Sequence, residues 1–404
     1  MLDGEYGPPV EKAMRILVAI GDVYGAPRLI DASSVHISGI SYRSAGESGA
    51  RLVDTFASSG RRFVVPTSSN TIGIDSARWA ELGFPGEFVQ SQTRILRSYE
   101  SMKIAPTYTC TPYYSGCLPR SGEHIAWSES AAIVFANSVL GARTNRESNP
   151  TAISSALTGK TPLYGYHITE NRAGTVLVEA RCDFNDSSDY SALGYYVGSR
   201  VGSEVPVFLI KKAQPSTDNL KSLGAALATS GEVALFHVIG ATPEAMNDES
   251  AFQGQKPVDR IRIDETDIRK VLQDLSKDEA GEVDHVIVGC PHASLTELKQ
   301  VATFLEGKNV HPQVKMWICT SRAVGCIGER AGIVQTIENA GARVVADTCT
   351  VNAPAGEMGF KVMATNSTKA AKYCSEIDDL TVFVGSLKQC VQCAIDGEWS
   401  GSEQ

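Results

Sequence analysis

The stretch HVIVGCPHASLTEL, residues 285–298, decides the fold of this chain of 404 residues. Its first five residues are almost continuously apolar, which is typical of a strand that is covered on both faces. Ser294 follows, with Glu297 three residues later, and this capping box predicts the start of a helix. Cys290 lies between the strand and the helix. A strand, a short polar loop and a helix in this order predict one unit of a parallel α/β sheet.

The same pattern recurs in the residues that follow. The apolar run VKMWI (314–318) precedes Cys319, and RVVADT (343–348) precedes Cys349. A further strand is expected at TVFVG (381–385). Because each run is succeeded by a segment of helical length, we expect a parallel, doubly wound sheet with right-handed crossovers. Ligands of such sheets bind at the carboxyl ends of the strands.

Earlier parts of the chain show a weaker form of this alternation. A helix is predicted at 9–24 and another at about 86–102, from apolar residues at helical spacing. Short strands are predicted within RLIDASSVHISGIS (28–41) and at RRFVV (61–65), each ending in a polar loop. VALFHVIG (233–240) is a continuous apolar run and is predicted to be a buried strand.

The amino-acid composition limits the classes of protein to which this chain can belong. Hydrophobic residues make up 43% of the chain and charged residues 21%, as in ordinary globular proteins. The net charge of −9 argues against a nucleic-acid partner. No apolar run reaches the ~20 residues that cross a bilayer, and the N-terminus has no basic region of a signal peptide. We expect a cytoplasmic protein that binds neither nucleic acid nor membrane.

Ten cysteines without a signal peptide do not indicate a disulfide framework. Cys110 follows an extended run, KIAPTYT (103–109), so it joins Cys290, Cys319 and Cys349 as a cysteine at a predicted strand end. Sulfurs that converge from different loops are what an iron–sulfur cluster requires. By spacing alone the alternatives stay open, because each cysteine can also be a small buried hydrophobe.

Zinc is the competing metal, since His124 or His292 could join three cysteines. Each histidine also has an ordinary place near a helix start, and we favour that interpretation. Cys390 and Cys393 form a CxxC pair within a predicted helix, without a second pair nearby. We interpret them as packing residues.

The stretch 106–147 alternates apolar residues with short polar side chains and is interpreted as the floor of an active site. Amide, hydroxyl and thiol groups of this kind hold ligands better than they fill cores. Arg143 follows the helix predicted there, and its guanidinium is suited to anchoring a phosphate or carboxylate.

Several long motifs together resemble a known family. GEHIAWSESAAIVFANSVLGARTNRE (122–147), VGCPHASLTEL (288–298), DTCTV (347–351) and MATNSTKAAKYC (363–374) are similar to the large, catalytic subunit of aconitase X. The resemblance extends over about residues 8–396. It implies an aconitase-like fold of several doubly wound, mostly parallel α/β/α units with the site at the strand ends. Within one catalytic region we divide the chain into approximate units 1–185, 186–280 and 281–404.

The resemblance implies a hydro-lyase with an iron–sulfur cluster, [4Fe-4S] or alternatively [2Fe-2S]. Its three ligands would be Cys110, Cys290 and Cys349, with one iron free to act as Lewis acid and Cys319 beside the ligands. The positions that match the substrate loops of the family are Gly39, Ile40, Ser41, Asn70, Thr71, Asn137, Ser138 and Lys369.

Branches of the family differ in substrate. One dehydrates (R)-5-phosphomevalonate to trans-anhydromevalonate 5-phosphate in an isoprenoid route, and another dehydrates cis-3-hydroxy-L-proline. The segment 141–172 is more similar to the first branch, which we favour, but Thr71 stands where that branch has proline. The resemblance also implies a separate small swivel subunit that supplies the catalytic base, so no catalytic residue is assigned in this chain. A non-enzymatic protein with a structural or sensory cluster is the alternative of another class.

Overall fold

The computed structural model describes residues 1–210, 214–277 and 280–401. Within these residues the chain forms three α/β units, each built around its own parallel sheet. We call residues 1–175 the first unit, residues 176–277 the second unit and residues 280–401 the third unit. No helix in the described part of the chain is both long enough and apolar enough to cross a membrane.

The first unit surrounds a small parallel sheet in the order β3-β2-β4, and a separate antiparallel ribbon joins β1 to β5. Its strands are β1 Leu29–Asp31, β2 Val35–Ile37, β3 Thr67–Ser69, β4 Ala126–Trp127 and β5 Lys160–Pro162. Its helices are α1 Pro8–Val23, α2 Tyr42–Ala57, α3 Trp79–Leu82, α4 Gly86–Ser101, α5 Ser130–Ser138 and α6 Asn149–Thr158, with 3₁₀ turns at Pro112–Ser115, Gly165–His167 and Thr169–Arg172. The short strands leave most of this unit to its helices and loops.

The second unit has a four-stranded parallel sheet in the order β8-β7-β6-β9. Its elements are β6 Val176–Ala180, α7 Ser187–Val201, β7 Pro206–Ile210, α8 Thr217–Gly231, β8 His237–Val238, α9 Asp248–Phe252, β9 Asp259–Ile263 and α10 Glu265–Leu275. Helices α7 and α8 pack closely because glycines face each other, and a Cβ on Gly231 would lie 1.9 Å from the carbonyl oxygen of Gly198.

The third unit is a doubly wound parallel sheet in the order β13-β12-β11-β14-β15. Its elements are β10 Gly281–Glu282, β11 His285–Ala293, α11 Leu295–Leu305, β12 Lys315–Thr320, α12 Arg322–Arg330, α13 Ile333–Asn339, β13 Arg343–Ala346, β14 Val362–Thr365, α14 Thr368–Ile377, β15 Thr381–Val384, α15 Leu387–Asp396 and β16 Glu398–Trp399. The chain starts at the central strand β11, winds outward through β12 and β13, and returns to the other side through β14 and β15.

The predictions for the third unit are confirmed in their essentials. The capping box of Ser294 and Glu297 opens α11, and Cys390 and Cys393 are buried in the packing of α15. Two details were wrong. Cys290 and Cys319 belong to strands β11 and β12 and do not follow them, and residues 350–359 form turns where a helix was expected. Strand β14, which directly follows those turns, was missed.

Two predicted strands were wrong. RRFVV (61–65) is not a strand, because Phe63 N donates to the Met102 carbonyl and Val64 N to the Ala156 carbonyl, so the segment joins two neighbouring elements. Of VALFHVIG (233–240), only His237–Val238 pairs with a neighbouring strand. Residues 233–236 are buried, with backbone hydrogen bonds to Asn137 and Ser138 of the first unit, and burial alone gave them the appearance of a strand.

Candidate active site

Cys290 lies where the third sheet changes its direction of winding, on the central strand between β12 and β14. Between Val288 and Ala293 the pairing with β12 is interrupted, so the backbone leaves the regular ladder. Gly289 permits this, because its φ is 99° and a Cβ there would lie 2.0 Å from the Cys319 carbonyl oxygen. The thiol of Cys290 is thereby placed, half-buried, at the carboxyl edge of the sheet.

Two further cysteines come from the same sheet and a third comes from the first unit. Cys349 is buried just after β13, and Cys319 is fully buried within β12. The loop that carries Cys110 is attached to the end of β3, since Thr109 N donates to the Ser69 carbonyl at 3.1 Å. The carboxyl ends of two sheets therefore meet at the cysteines.

The four thiols lie close enough to act on one another's ionisation. Burial, together with the charges of neighbouring groups, raises the pKa of Cys110 and Cys319 well above the ordinary value. Burial likewise raises the pKa of Cys290 to about 12 and raises that of Cys349. The charge of Lys369 acts in the opposite direction on Cys110, Cys290 and Cys349. In the free protein these thiols are neutral, and a bound metal would displace their protons.

Lys369 lies in the first turn of α14, and its side chain is 11% exposed. Its Nζ donates to Glu129 Oε1 at 2.9 Å and to Ser130 Oγ at 3.3 Å. Burial opposes both charges, but Glu129 raises the pKa of Lys369, and Lys369 lowers the pKa of Glu129 despite its burial. A buried ion pair therefore joins the first and third units next to the thiols.

Glu129 and Ser130 were missed in the sequence. A usable signal existed, because Ser128-Glu129-Ser130 follows strand β4 as Cys349 follows β13. Glu129 is the N-cap of α5, and its carboxylate accepts a hydrogen bond from Ala132 N. A helix N-terminus stabilises a carboxylate, so the position of Glu129 favours the charged form that faces Lys369.

The loop after β3 reaches the loop that carries Cys349. Thr71 Oγ1 lies 3.9 Å from Cys349 Sγ, the longer separation that a sulfur partner allows. Asn352 Nδ2 donates to the Thr71 carbonyl at 3.2 Å and also to the Thr71 hydroxyl. Asn70 is buried, and its Oδ1 has no hydrogen-bond partner among the described residues. A buried amide oxygen without a partner is costly, and a bound ligand would satisfy it.

The segment Gly39–Ile40–Ser41 borders the same place. Gly39 has φ 70°, which turns the chain from β2 towards α2. The Ile40 carbonyl accepts from Gln92 Nε2 at 2.9 Å, and Ser41 Oγ donates to the Asn352 carbonyl at 3.3 Å. Asn352 therefore contacts both Ser41 and Thr71, which brings the two predicted substrate loops together beside Cys349.

A charged network holds these loops against the third sheet. Arg322 Nη2 pairs with Asp75 Oδ1 at 2.9 Å and with Asp347 Oδ2 at 2.5 Å. The Asp347 carbonyl also accepts from Ile72 N at 2.8 Å. Asp347 has φ 67°, a strained conformation for a residue with a side chain. The network fixes the backbone directly after Thr71 and shortly before Cys349.

The structure gives Asn137, Ser138 and Arg143 other partners. Asn137 Nδ2 donates to two carbonyls, those of Thr144 and Ala234, at 2.9 Å each. Ser138 Oγ accepts from the backbone N–H of residue 236, and Arg143 Nη1 donates to the carbonyl of residue 167 at 3.0 Å. These contacts join the first unit to the second or close loops within the first, and none of them is made with the cysteines. Sequence reasoning placed all three side chains at the substrate.

A single metal ion has no ready site here. Within residues 1–210, 214–277 and 280–401, no three His, Cys, Asp or Glu side chains surround one ion. Both ring nitrogens of His292 are hydrogen-bonded, and burial lowers its pKa to about 4. His124 Nδ1 lies 3.0 Å from His167 Nδ1. A multi-iron cluster is different, because each thiolate binds a different iron. Three free thiols on separate loops fit that demand.

Parallel α/β units that bring cysteines together at their strand ends define an aconitase-like protein. The crystal structure of Thermococcus kodakaraensis aconitase X in its holo-form superposes with a TM-score of 0.89 at 39% identity, covering 97% of each chain. Family models for the first, second and third domains of aconitase X match residues 1–170, 174–273 and 283–396. The chain belongs to the aconitase X family.

Two similar proteins have the names of two different dehydratases. The phosphomevalonate dehydratase large subunit of Methanothermobacter thermautotrophicus is 46% identical over 92% of this chain and 91% of its own length. The cis-3-hydroxy-L-proline dehydratase of Pseudomonas aeruginosa is 39% identical over 98% of this chain and 69% of its own length. Both relatives are named as dehydratases.

Proposed function

We propose that this chain is the large subunit of an iron–sulfur hydro-lyase that acts on (R)-5-phosphomevalonate. The observation that carries the proposal is the similarity to archaeal phosphomevalonate dehydratase large subunits, which extends along nearly the whole of both chains. The reaction breaks one C–O bond and one C–H bond, releases water and leaves trans-anhydromevalonate 5-phosphate. The site described above supplies thiols for the cluster and polar groups for the substrate, and the base is assigned to a partner below.

Cys110, Cys290 and Cys349 hold the cluster, which we propose to be of the [4Fe-4S] type. When bound, the cluster supplies a Lewis acid for the hydroxyl oxygen that leaves. Their thiols are free, converge from three loops and feel the positive charge of Lys369, which favours the thiolate form. Cys319, fully buried within its strand, stands behind them.

The remaining residues bind and orient the substrate. Lys369 offers a buried ammonium for the substrate carboxylate or phosphate, and Glu129 holds that ammonium in place. Asn70 offers an amide, and Thr71 forms part of the pocket wall, at the edge of the Cys349 loop. Ser41 stands at the start of α2, where backbone N–H groups favour an anion. Such donors stabilise charge without reorganising during the reaction.

The base that removes the carbon-bound proton is proposed to come from a small swivel subunit, which assembles with this chain in the cytoplasm. The relatives are named as large subunits, which supports such a partner. In this view the large chain alone binds substrate but turns it over slowly, because proton removal in the transition state contributes about 10²–10⁴-fold.

A second candidate is dehydration of cis-3-hydroxy-L-proline. The similarity to the hydroxyproline dehydratases is only slightly lower than that to several archaeal large subunits. Thr71 also borders Cys349 where the phosphomevalonate branch is expected to have proline, so the pocket wall differs at this position.

An anaerobic assay tests both candidates. The chain is co-purified with its small subunit, its cluster is reconstituted, and each substrate is offered separately. We expect the absorbance of a new carbon–carbon double bond with phosphomevalonate and none with hydroxyproline. Turnover of hydroxyproline alone would replace the proposed substrate, and turnover of neither by protein with an intact cluster would contradict both.

A further inference from the structure

His292 contacts all three loops that carry the proposed cluster ligands. It lies two residues after Cys290, on the same interrupted strand. Its Nδ1 lies 2.8 Å from Thr109 Oγ1, next to Cys110, and its Nε2 lies 2.9 Å from the Thr348 carbonyl, next to Cys349. His292, itself two residues from Cys290, thus links Thr109 beside Cys110 to Thr348 beside Cys349.

The direction of each hydrogen bond follows from the acceptors. The Thr348 carbonyl can only accept, so Nε2 of His292 carries the proton. In the neutral ring Nδ1 is then bare and accepts from the Thr109 hydroxyl. The Thr109 oxygen in turn accepts from Thr111 N at 3.1 Å. Because the Thr109 proton is directed at Nδ1, the Thr109 oxygen also accepts from the Thr111 hydroxyl at 3.1 Å, and these contacts together fix the Thr109 side chain.

The backbone of His292 adds two contacts. Its N–H donates to Cys110 Sγ at 3.2 Å, and its carbonyl accepts from Lys221 Nζ at 3.1 Å. Lys221 is a fully buried residue of α8 that also pairs with Glu297 at the start of α11. His292 is therefore in contact with residues of the first, second and third units.

We propose that His292 is a positioning residue that holds Cys110, Cys290 and Cys349 at the spacing the cluster needs. The inference rests on the cluster that the proposed function requires. His292 donates no electrons to the iron, since both of its nitrogens are occupied. It acts by fixing the positions of the three ligand loops relative to one another, and this slows the loss of iron from the cluster.

Three variants separate the two hydrogen bonds. His292→Asn retains an oxygen near Nδ1 for Thr109, His292→Gln retains an N–H near Nε2 for Thr348, and His292→Phe retains the ring with neither. Holoprotein of each is exposed anaerobically to a ferrous chelator while the visible absorption of the cluster is followed. We expect loss about tenfold faster for the Phe variant, the scale of lost outer-shell contacts, and intermediate rates for the other two.

His285 is the matched control. It lies on the same strand, is fully buried, and its Nδ1 is 2.8 Å from the Lys315 carbonyl, but it stands at the opposite end from the cysteines. We expect His285→Phe to lower the melting temperature of the cluster-free protein without accelerating cluster loss. Equal rates in the His285 and His292 variants would overturn the proposal.

The Asn and Gln variants keep the proposal testable if His292→Phe does not fold. Wild-type rates of cluster loss in both of these folded variants would then contradict it. If the protein binds no iron–sulfur cluster, the wild type itself will show no visible absorption after reconstitution. That result is distinct from the outcomes above, and it would contradict this inference together with the proposed cofactor.

Discussion

The third unit and the first unit contribute to the site by different means. In the third unit, Cys290 and Cys349 lie just beyond regular backbone ladders of a five-stranded sheet, which are interrupted after Val288 and end at Ala346. In the first unit the strands are two or three residues long, and hydrogen bonds of side chains such as Thr71 and Thr109 hold the loops. The comparison teaches that the sheet brings Cys290 and Cys349 to one edge, whereas side-chain contacts, those of His292 included, set the final spacing of the sulfurs.

The largest effect is expected in the third unit, at the ligands themselves. Cys290→Ser should abolish the visible cluster and lower activity by more than about 100-fold, beyond the loss that changes beside a metal produce. Cys319→Ser is the matched control, since Cys319 is on the adjacent strand of the sheet and fully buried. Iron content and absorption of the purified variants measure both.

Cys319 also discriminates an enzyme from a protein with a structural or sensory cluster. We expect Cys319→Ser to keep its iron. This result would mean that Cys319 is not a ligand and that the protein holds the cluster through three cysteines only. Loss of the cluster from this variant would make Cys319 a fourth ligand, and a saturated cluster would contradict the dehydratase.

A smaller effect is expected where the two units meet, at the ion pair of Lys369 and Glu129. Lys369→Met leaves a buried carboxylate without its cation, which costs about 3–5 kcal/mol. Chemical denaturation measures this as a lower free energy of unfolding. The double variant Lys369→Met/Glu129→Gln should recover part of the loss, and equal stability of the single and double variants would show that the pair carries no such coupling.

The pH dependence of this pair has a defined sign. Lys369 lowers the pKa of Glu129 below its ordinary value of 4.5. In the wild type the pair therefore stabilises the fold above that value and is lost as the pH falls through the lowered pKa. In Lys369→Met the loss in free energy of unfolding should instead become smaller as the pH falls, because protonation of Glu129 removes the unpaired buried charge.

The smallest effect is expected in the first unit, at Thr71. Because the Asn352 amide donates to the Thr71 hydroxyl oxygen, the hydroxyl proton is free for Cys349 Sγ. Thr71→Val removes this donor and should lower the reduction potential of the cluster by up to about 59 mV, a tenfold change for one electron. Thr71→Ser keeps the hydroxyl and should keep the potential. A redox titration followed by visible absorption measures the potentials. Equal potentials in the two variants would exclude a hydrogen bond from Thr71 to Cys349.

The sequence allowed the third unit to be predicted because its signals are local. Largely apolar runs, a capping box at Ser294 and a cysteine after three of the four runs are each visible within short stretches of sequence. Burial of both sheet faces requires such runs, so the pattern and the structure have the same cause. The family motifs added the choice of Cys110, Cys290 and Cys349, which spacing alone left open.

The first unit could be predicted less well because its order comes from contacts between distant residues. Nothing near Glu129 indicates that it pairs with Lys369, and nothing near Asn137 indicates that its amide is used by Thr144 and Ala234. Short polar residues serve equally well as ligand groups and as links between loops. Their role is decided by which partner the fold places opposite them.

The three loops that His292 joins come from widely separated parts of the chain, between Cys110 and Cys349. During synthesis at about 5–20 residues per second, Cys110 leaves the ribosome roughly 12 seconds or more before Cys349. Cys290 joins it only late in that interval, and the third ligand is missing until the interval ends. Iron can therefore be inserted only into a chain that is almost finished, and the cell must protect an early thiol from oxidation until the last one arrives.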